Sequence, residues 1–354
     1  MSMVFDHPWL GGLFDDADAE AIWSPDRQIS HMLAFEAAFS SALGYIGSVP
    51  VAIADALADQ IAGFTVDVAE LRNGSARDGL PVPALVSQLR AMAKDNSSAV
   101  HTGVTSQDVL DTALAVTLRD FNALLHLRLA ELIAAIDELK GRFAAQPLMG
   151  RTRMQAALPI TVGDRLRTWS HPLRAQLERL DHARLRVENL QLGGAVGDRA
   201  KLSPHIMAIA ACMAKQLGLN DPGSSWHTMR DGLADYASLL SLITGSVGKI
   251  GQDICLMAQQ GIDEIGFVGG GSSSAMPHKQ NPVLAELLVT LARFNGIQIS
   301  GMHHALIHEQ ERSGAAWMLE WMILPEMAKT TARSLSAAHE LCAQIQRIGP
   351  KNPE

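Results

Sequence analysis

The sequence predicts an all-α protein organised around a bundle of long helices, and three observations carry that expectation. The first is Asp111–Ala145, which holds no Pro and no Gly before Gly141. Its apolar residues (Leu114, Leu118, Leu124, Leu127, Leu129, Leu132, Ile133 and Ile136) follow a 3.6-residue period, so it reads as one long helix. The second is a series of similar runs near 163–190, 205–217, 231–261, 283–311 and 319–345, separated by loops rich in Gly, Pro or Ser. Several exceed the usual globular helix length, which points to a bundle. The third is composition: 47% of residues are hydrophobic and only 5% aromatic. Ala, Leu, Ile and Met supply most of the apolar mass, which favours packed helices over strands.

Residues 1–105 read as an N-terminal helical domain of short helices. In 27–43, Ile29, Met32, Leu33, Phe35, Ala38 and Phe39 fall at helical spacing. Pro50 and the stretch 79–83 break the pattern, and 95–98 reads as a loop. Residues 106–345 read as the central long-helix bundle domain, and 346–354 as a polar tail that frays from Gly349. The run 231–261 is apolar around most of its circumference, through Leu239, Leu240, Leu242, Ile243, Val247, Ile250 and Ile254. Such a helix must be buried on most sides. With 354 residues available to cover it, the expectation is that other copies contribute, in an obligate homo-oligomer.

A formal net charge of -8 argues against nonspecific nucleic-acid binding. Cys212, Cys255 and Cys342 are far apart and show no CxxC spacing, as expected of reduced thiols in a cytoplasmic protein. No metal-ligand cluster is apparent in the spacing, and neither metal nor cofactor is expected. The start, MSMVFDHPWL, lacks the basic segment of a signal peptide. The apolar runs read as too short to span a membrane. A soluble protein without membrane partners is expected.

Polar residues concentrate in four places. Residues 269–282 read GGGSSSAMPHKQNP. Gly lets backbone amides approach a ligand, the serines add hydroxyls, and Lys279 adds a positive donor. The segment suits a mobile, anion-binding active-site loop better than a linker. In 101–108, Thr105 and Ser106 stand just before a helix. Either Ser106 or Asp108 caps that helix, or its N-terminus binds a carboxylate, and the two readings are compatible. In 150–159, Arg151 and Arg153 flank Thr152. They read either as carboxylate-binding forks or as a surface pair. The fourth cluster is HEQERS at 308–313. A histidine such as His101, taken alone, is more often structural than catalytic; His278, inside the mobile loop, is the better site candidate, in the site itself or as a support of the loop.

Together these segments resemble the fumarase/aspartase superfamily. The motif regions are HTGVTSQDVLDTA at 101–113, GRTRMQAALPITVGDR at 150–165 and SSSAMPHKQNP at 272–282, with LGGAVGDR at 192–199 fitting the same pattern. Within the superfamily, TSQDVLDTA and HEQERSGAAWMLEW (308–321) are most similar to bacterial 3-carboxy-cis,cis-muconate cycloisomerases, the lactonizing enzymes of protocatechuate breakdown. The resemblance implies a fumarase/aspartase-like fold whose bundle is completed by tetramerisation. It also implies sites shared between subunits and a small polycarboxylate substrate. By position, Ser273 matches the loop acid/base, and Lys279 and Asn281 match the anion-binding pair. Thr105, Ser106 and Gln155 match substrate-contacting positions, and Arg312 a family arginine near the site. His101, Arg151, Arg153 and His278 complete the candidate set. Superfamily members usually carry a further C-terminal helical domain, expected here to be absent or reduced.

Three residues depart from the family pattern. Ser272 stands where Gly is usual, Gln280 where Arg is common, and Arg153 at the His of the lyases' THxQ pattern. Arg cannot give up its proton in a protein, so Arg153 is no general acid. A lyase that expels a nitrogen leaving group needs such an acid, which is typically worth ~10²–10⁴-fold. Lactonization moves a carboxylate, whose pKa of about 4 removes that need. Arg153 therefore favours the cycloisomerase reaction. The alternatives are a fumarate-releasing lyase of the adenylosuccinate or argininosuccinate type and a non-catalytic member.

Overall fold

The computed structural model describes residues 4–271, 276 and 279–351. Short helices α1 (Gly11–Phe14) and α2 (Ala17–Trp23) lead into α3 (Pro25–Tyr45), α4 (Val51–Ala62), α5 (Val68–Asp78) and α6 (Val82–Ala93). Ser24 caps α3 by accepting from the Arg27 amide at 3.3 Å, with Pro25 preorganised in the first turn. The long helix α7 (Ser106–Phe143) follows, then strands β1 (Pro147–Thr152) and β2 (Gln155–Thr161), and α8 (Val162–Val187). Next come α9 (Ile206–Leu217), α10 (Asp231–Met257), β3 (Ile265–Phe267), α11 (Val283–His304), α12 (Ala315–Gln344) and β4 (Ile345–Ile348).

The bundle expected from the periodicity is present. Helices α7, α8, α10, α11 and α12 share one core, with Leu125, Trp169, Tyr236, Ile243, Leu288 and Leu335 inside it. A second core joins α3 to α6 with α9 and the first turns of α7, through Phe35, Leu85, Leu89, Val109, Ile209 and Met213. Helix α7 begins at Ser106, five residues ahead of the periodic run, because the Asp108 carboxylate accepts from the Thr105 amide at 3.0 Å. Polar residues form its first turn, where apolar periodicity carries no signal.

Expectations on three points need correction: the apolar helices, the segment 150–159 and the polar tail. Helix α10 was expected to be covered by other copies, yet α8, α11 and α12 of its own chain cover it. Leu240, Ile243, Val247 and Ile254 are fully buried there, while Leu242 stays 44% exposed. The bare helix is α11 instead: only 28% of its most apolar window is buried, and Ile297 is 73% exposed. Helix α11 is also long and apolar enough to cross a membrane, by length and composition alone. The expectation that every apolar run falls short of that test therefore fails.

The second correction concerns 150–159, read as a loop. It lies in the antiparallel β1–β2 hairpin. Arg153 (φ 48°) and Met154 (φ 69°) occupy its turn in the left-handed region, the geometry of a two-residue hairpin turn. Asn-Gly, the usual sequence signal for that turn, is absent. Third, the polar tail expected from 346 starts later. Residues 345–348 form β4 against β3, with Ile345 and Ile348 buried.

The three cysteines are free thiols. Burial pushes the Cys342 thiol up to about 12, so it is inert at neutral pH.

Candidate active site

The junction before α7 is organised by Asp108, which is fully buried. Its carboxylate accepts from the amides of Thr105 (3.0 Å), Gly193 (2.8 Å) and Gly194 (2.9 Å). It also pairs with His227 Nε2 at 2.8 Å. An acid in a helix's first turn is favoured by the dipole, and here it also fastens the 192–199 segment to α7. Gly194 has φ +71°, and a Cβ there would lie 2.9 Å from the Gly103 carbonyl oxygen. Only glycine meets both conditions.

Arg312 closes this junction from above. Its Nη1 donates to Thr105 Oγ1 at 2.8 Å, and its Nη2 to the Ala195 carbonyl at 3.1 Å. His101 sits in the same loop with φ 57°, its Nδ1 2.6 Å from Glu36 Oε1. Thr105, Ser106 and Arg312 are thus brought together at the N-terminus of α7, with His101 in the loop that leads into it. The first amides there have no intrahelical acceptor and form the positive end of the helix dipole. The arrangement suits a carboxylate.

Beneath it lies a buried charge network. Arg230 reaches Asp111 at 2.7 and 3.1 Å and Glu320 at 2.9 and 2.5 Å. Trp317 Nε1 donates to Asp111 at 3.2 Å, and Gln107 Nε2 at 3.1 Å. Burial alone would lower the Arg230 pKa, but Asp111 and then Glu320 outweigh it and hold the guanidinium charged. Buried and, apart from the unpartnered Gln107 Oε1, internally paired, the network acts as scaffold for the junction.

The other candidates lie elsewhere. Arg151 pairs with Glu264 at 2.9 Å, and Arg153 and Gln155 are exposed on the hairpin. Lys279 is exposed, while Asn281 and Gly271 exchange backbone hydrogen bonds of 2.9 Å each. Ser272, Ser273 and His278 lie outside the described residues. The hairpin and the β3–β4 pair stand at the end of the bundle where α7 finishes. Thr105 stands at the other end, and the 38 residues of α7 separate the two by about 57 Å. One chain therefore holds the two groups of candidate residues apart. Among the described residues, no group of His, Cys, Asp or Glu could hold a metal ion.

Sequence reasoning missed Glu36, His227, Arg230 and Glu320. Glu36 offered a signal, an acid within the apolar run MLAFEAAF, and so did His227, in the polar segment following α9.

Residues 19–295 match the family described as Lyase. Among curated relatives, the 3-carboxy-cis,cis-muconate cycloisomerase of Pseudomonas aeruginosa is 36% identical, over 96% of this chain and 75% of its own length. The enzyme of that name from Acinetobacter baylyi is 35% identical, over 91% and 74%. N-acetyl-S-(2-succino)cysteine lyase of Enterococcus italicus is 32% identical, over 92% and 72%. Among solved structures, the 3-carboxy-cis,cis-muconate lactonizing enzyme of Pseudomonas putida superposes with a TM-score of 0.88 at 34% identity, covering 96% of this chain and 77% of that one. With the bundle, the junction at Thr105 and these relatives in agreement, the chain belongs to the lyase family of the fumarase/aspartase superfamily.

Proposed function

We propose that this protein is a 3-carboxy-cis,cis-muconate cycloisomerase, closing a conjugated tricarboxylate to its muconolactone. The observation that carries the reading is Arg153, a permanent cation where a nitrogen-expelling lyase needs an acid. One substrate carboxylate adds across a double bond of its own chain. Charge then develops on a neighbouring carboxylate as an enolate-like dianion. Lys279, Asn281, Thr105 and Ser106 stabilise that charge, and Ser273 delivers the proton to carbon. Arg151, Arg153, Gln155, His101, His278 and Arg312 hold the remaining carboxylates. Orientation of nucleophile and alkene supplies much of the rate.

The working form is a homotetramer with sites shared between copies. The bare apolar face of α11 and the half-sites about 57 Å apart at the two ends of α7 support this. Residues 1–105 and 106–345 act as its N-terminal and bundle domains. A cytoplasmic setting accords with three free thiols.

A second reading, a fumarate-releasing lyase, is favoured by the 32% identity to the succinocysteine lyase. A thiolate leaving group, with a pKa near 8.5, depends less on protonation than an amine does, so Arg153 weighs less against it. The test follows loss of muconate ultraviolet absorbance over a panel of substituted muconates, beside fumarate release from succinyl thioethers and amines. Carboxymuconate turnover that Ser273→Ala abolishes, with the fold and assembly intact, is the expected result. Near-normal turnover in that variant overturns the role of Ser273. In Arg153→His, KM rises sharply; an unchanged KM overturns carboxylate binding by Arg153.

A further inference from the structure

We infer that Glu36 is a positioning residue that acts on substrate only through His101. The inference rests on the reading of His101 as a substrate-facing residue. Glu36 lies on α3, inside the N-terminal core, with a fully buried side chain. One carboxylate oxygen, Oε1, meets His101 Nδ1 at 2.6 Å. The other, Oε2, is buried without a partner. Removing a carboxylate from water is costly unless its lone pairs are satisfied, and here half of them are not. An apolar residue would suit this core better, so the acid is retained against stability.

What the acid does is visible in its partner. His101 takes a left-handed φ of 57° at a non-glycine position, a strained conformation held by its surroundings. A carboxylate accepts and cannot donate, so the Nδ1 it meets carries the proton. That fixes the ring plane and the tautomer together. Nε2 has no hydrogen-bond partner among the described residues. It is left as the nitrogen available in the loop that leads to Thr105. The arrangement parallels an orienting acid behind a histidine whose far nitrogen meets the substrate.

The role predicts a pattern that a purely structural acid would not give. Glu36→Leu raises KM for carboxymuconate about tenfold or more, while the thermal midpoint stays level or rises. Glu36→Gln, whose amide oxygen still accepts from Nδ1, stays within about threefold of wild type. In a double-mutant cycle, Glu36→Leu adds nothing once His101→Ala is present, because its effect passes through the ring. The inference is overturned if Glu36→Leu leaves KM within twofold, if its effect adds in full to that of His101→Ala, or if Leu and Gln lose activity alike together with a drop in thermal midpoint. The tautomer is read independently in ligand-free protein by ¹⁵N-histidine NMR, with the His101 signal assigned from His101→Ala. Nδ1 protonated in wild type and redistributed in Glu36→Leu is expected; an unprotonated Nδ1 in wild type overturns the inference. This arm requires no turnover, so a wild type inactive on carboxymuconate would count against the proposed function alone.

Discussion

Arg312 donates to Thr105 Oγ1 at 2.8 Å across 207 positions of sequence. The bond fastens the segment before α12 to the first turn of α7, and the same guanidinium reaches the Ala195 carbonyl. Lysine offers a point charge on a flexible stem and cannot reproduce that fork. Arg312→Lys is therefore expected to lose a charge-assisted bond worth about 1.5–3 kcal/mol. This corresponds to a roughly 10–100-fold fall in kcat/KM, measured by muconate absorbance.

The Arg230 network predicts a stability effect. Arg230, Asp111 and Glu320 are each no more than 2% exposed. Removing the cation leaves two carboxylates buried without a countercharge. Breaking a buried pair from one side costs about 3–5 kcal/mol. Arg230→Met should show that loss as a lower urea midpoint, measured against wild type at the same protein concentration.

How much of this was legible in the sequence depends on the kind of contact. Helix α7 and the bundle were readable because burial imposes a 3.6-residue period on Leu114 through Ile136. The hairpin was not, since its turn is made by Arg153 and Met154 in place of the usual Asn-Gly. Covering of α10 by its own chain was not readable either, because a pattern of apolar residues tells that a helix is buried and not by what. The positions Thr105, Lys279 and Arg312 came from motif resemblance. Glu36 escaped because an acid on a helix ordinarily reads as solvated, and only the backbone turn at His101 brings its partner to it.

His31 sets an acid-side limit on stability. Burial pushes its pKa down to about 4, against an opposing pull from Asp120, and its side chain is 6% exposed. The unfolded chain takes up this proton near pH 6.5 and the folded one resists until about pH 4. The contribution is therefore complete above pH 6.5 and is lost as pH falls through the window, by roughly 3 kcal/mol in total. Urea midpoints from pH 7 to 4 should fall less steeply in His31→Gln than in wild type.

The proposed sharing of sites between copies predicts complementation. Arg312→Ala damages one end of the bundle and Lys279→Ala the other. Each variant alone should be nearly inactive. Mixed assemblies formed by co-expression should regain part of wild-type turnover, because some sites then receive both intact halves. Activity no greater than either parent would place both residues in a single-chain site.

The length of α7 has a consequence of its own. It acts as a ruler: its 38 residues fix how far the hairpin stands from the Thr105 junction. Each residue inserted or deleted in mid-helix would change that reach by about 1.5 Å and swing the far end through about 100°. A seven-residue insertion would nearly restore the facing while lengthening the reach by about 10 Å. In an assembly of several such rulers laid side by side, a change of register in one would be felt wherever the ends must meet. The spacing between the two ends is thus inherited as a count of residues, and surface substitutions that preserve the count leave it untouched.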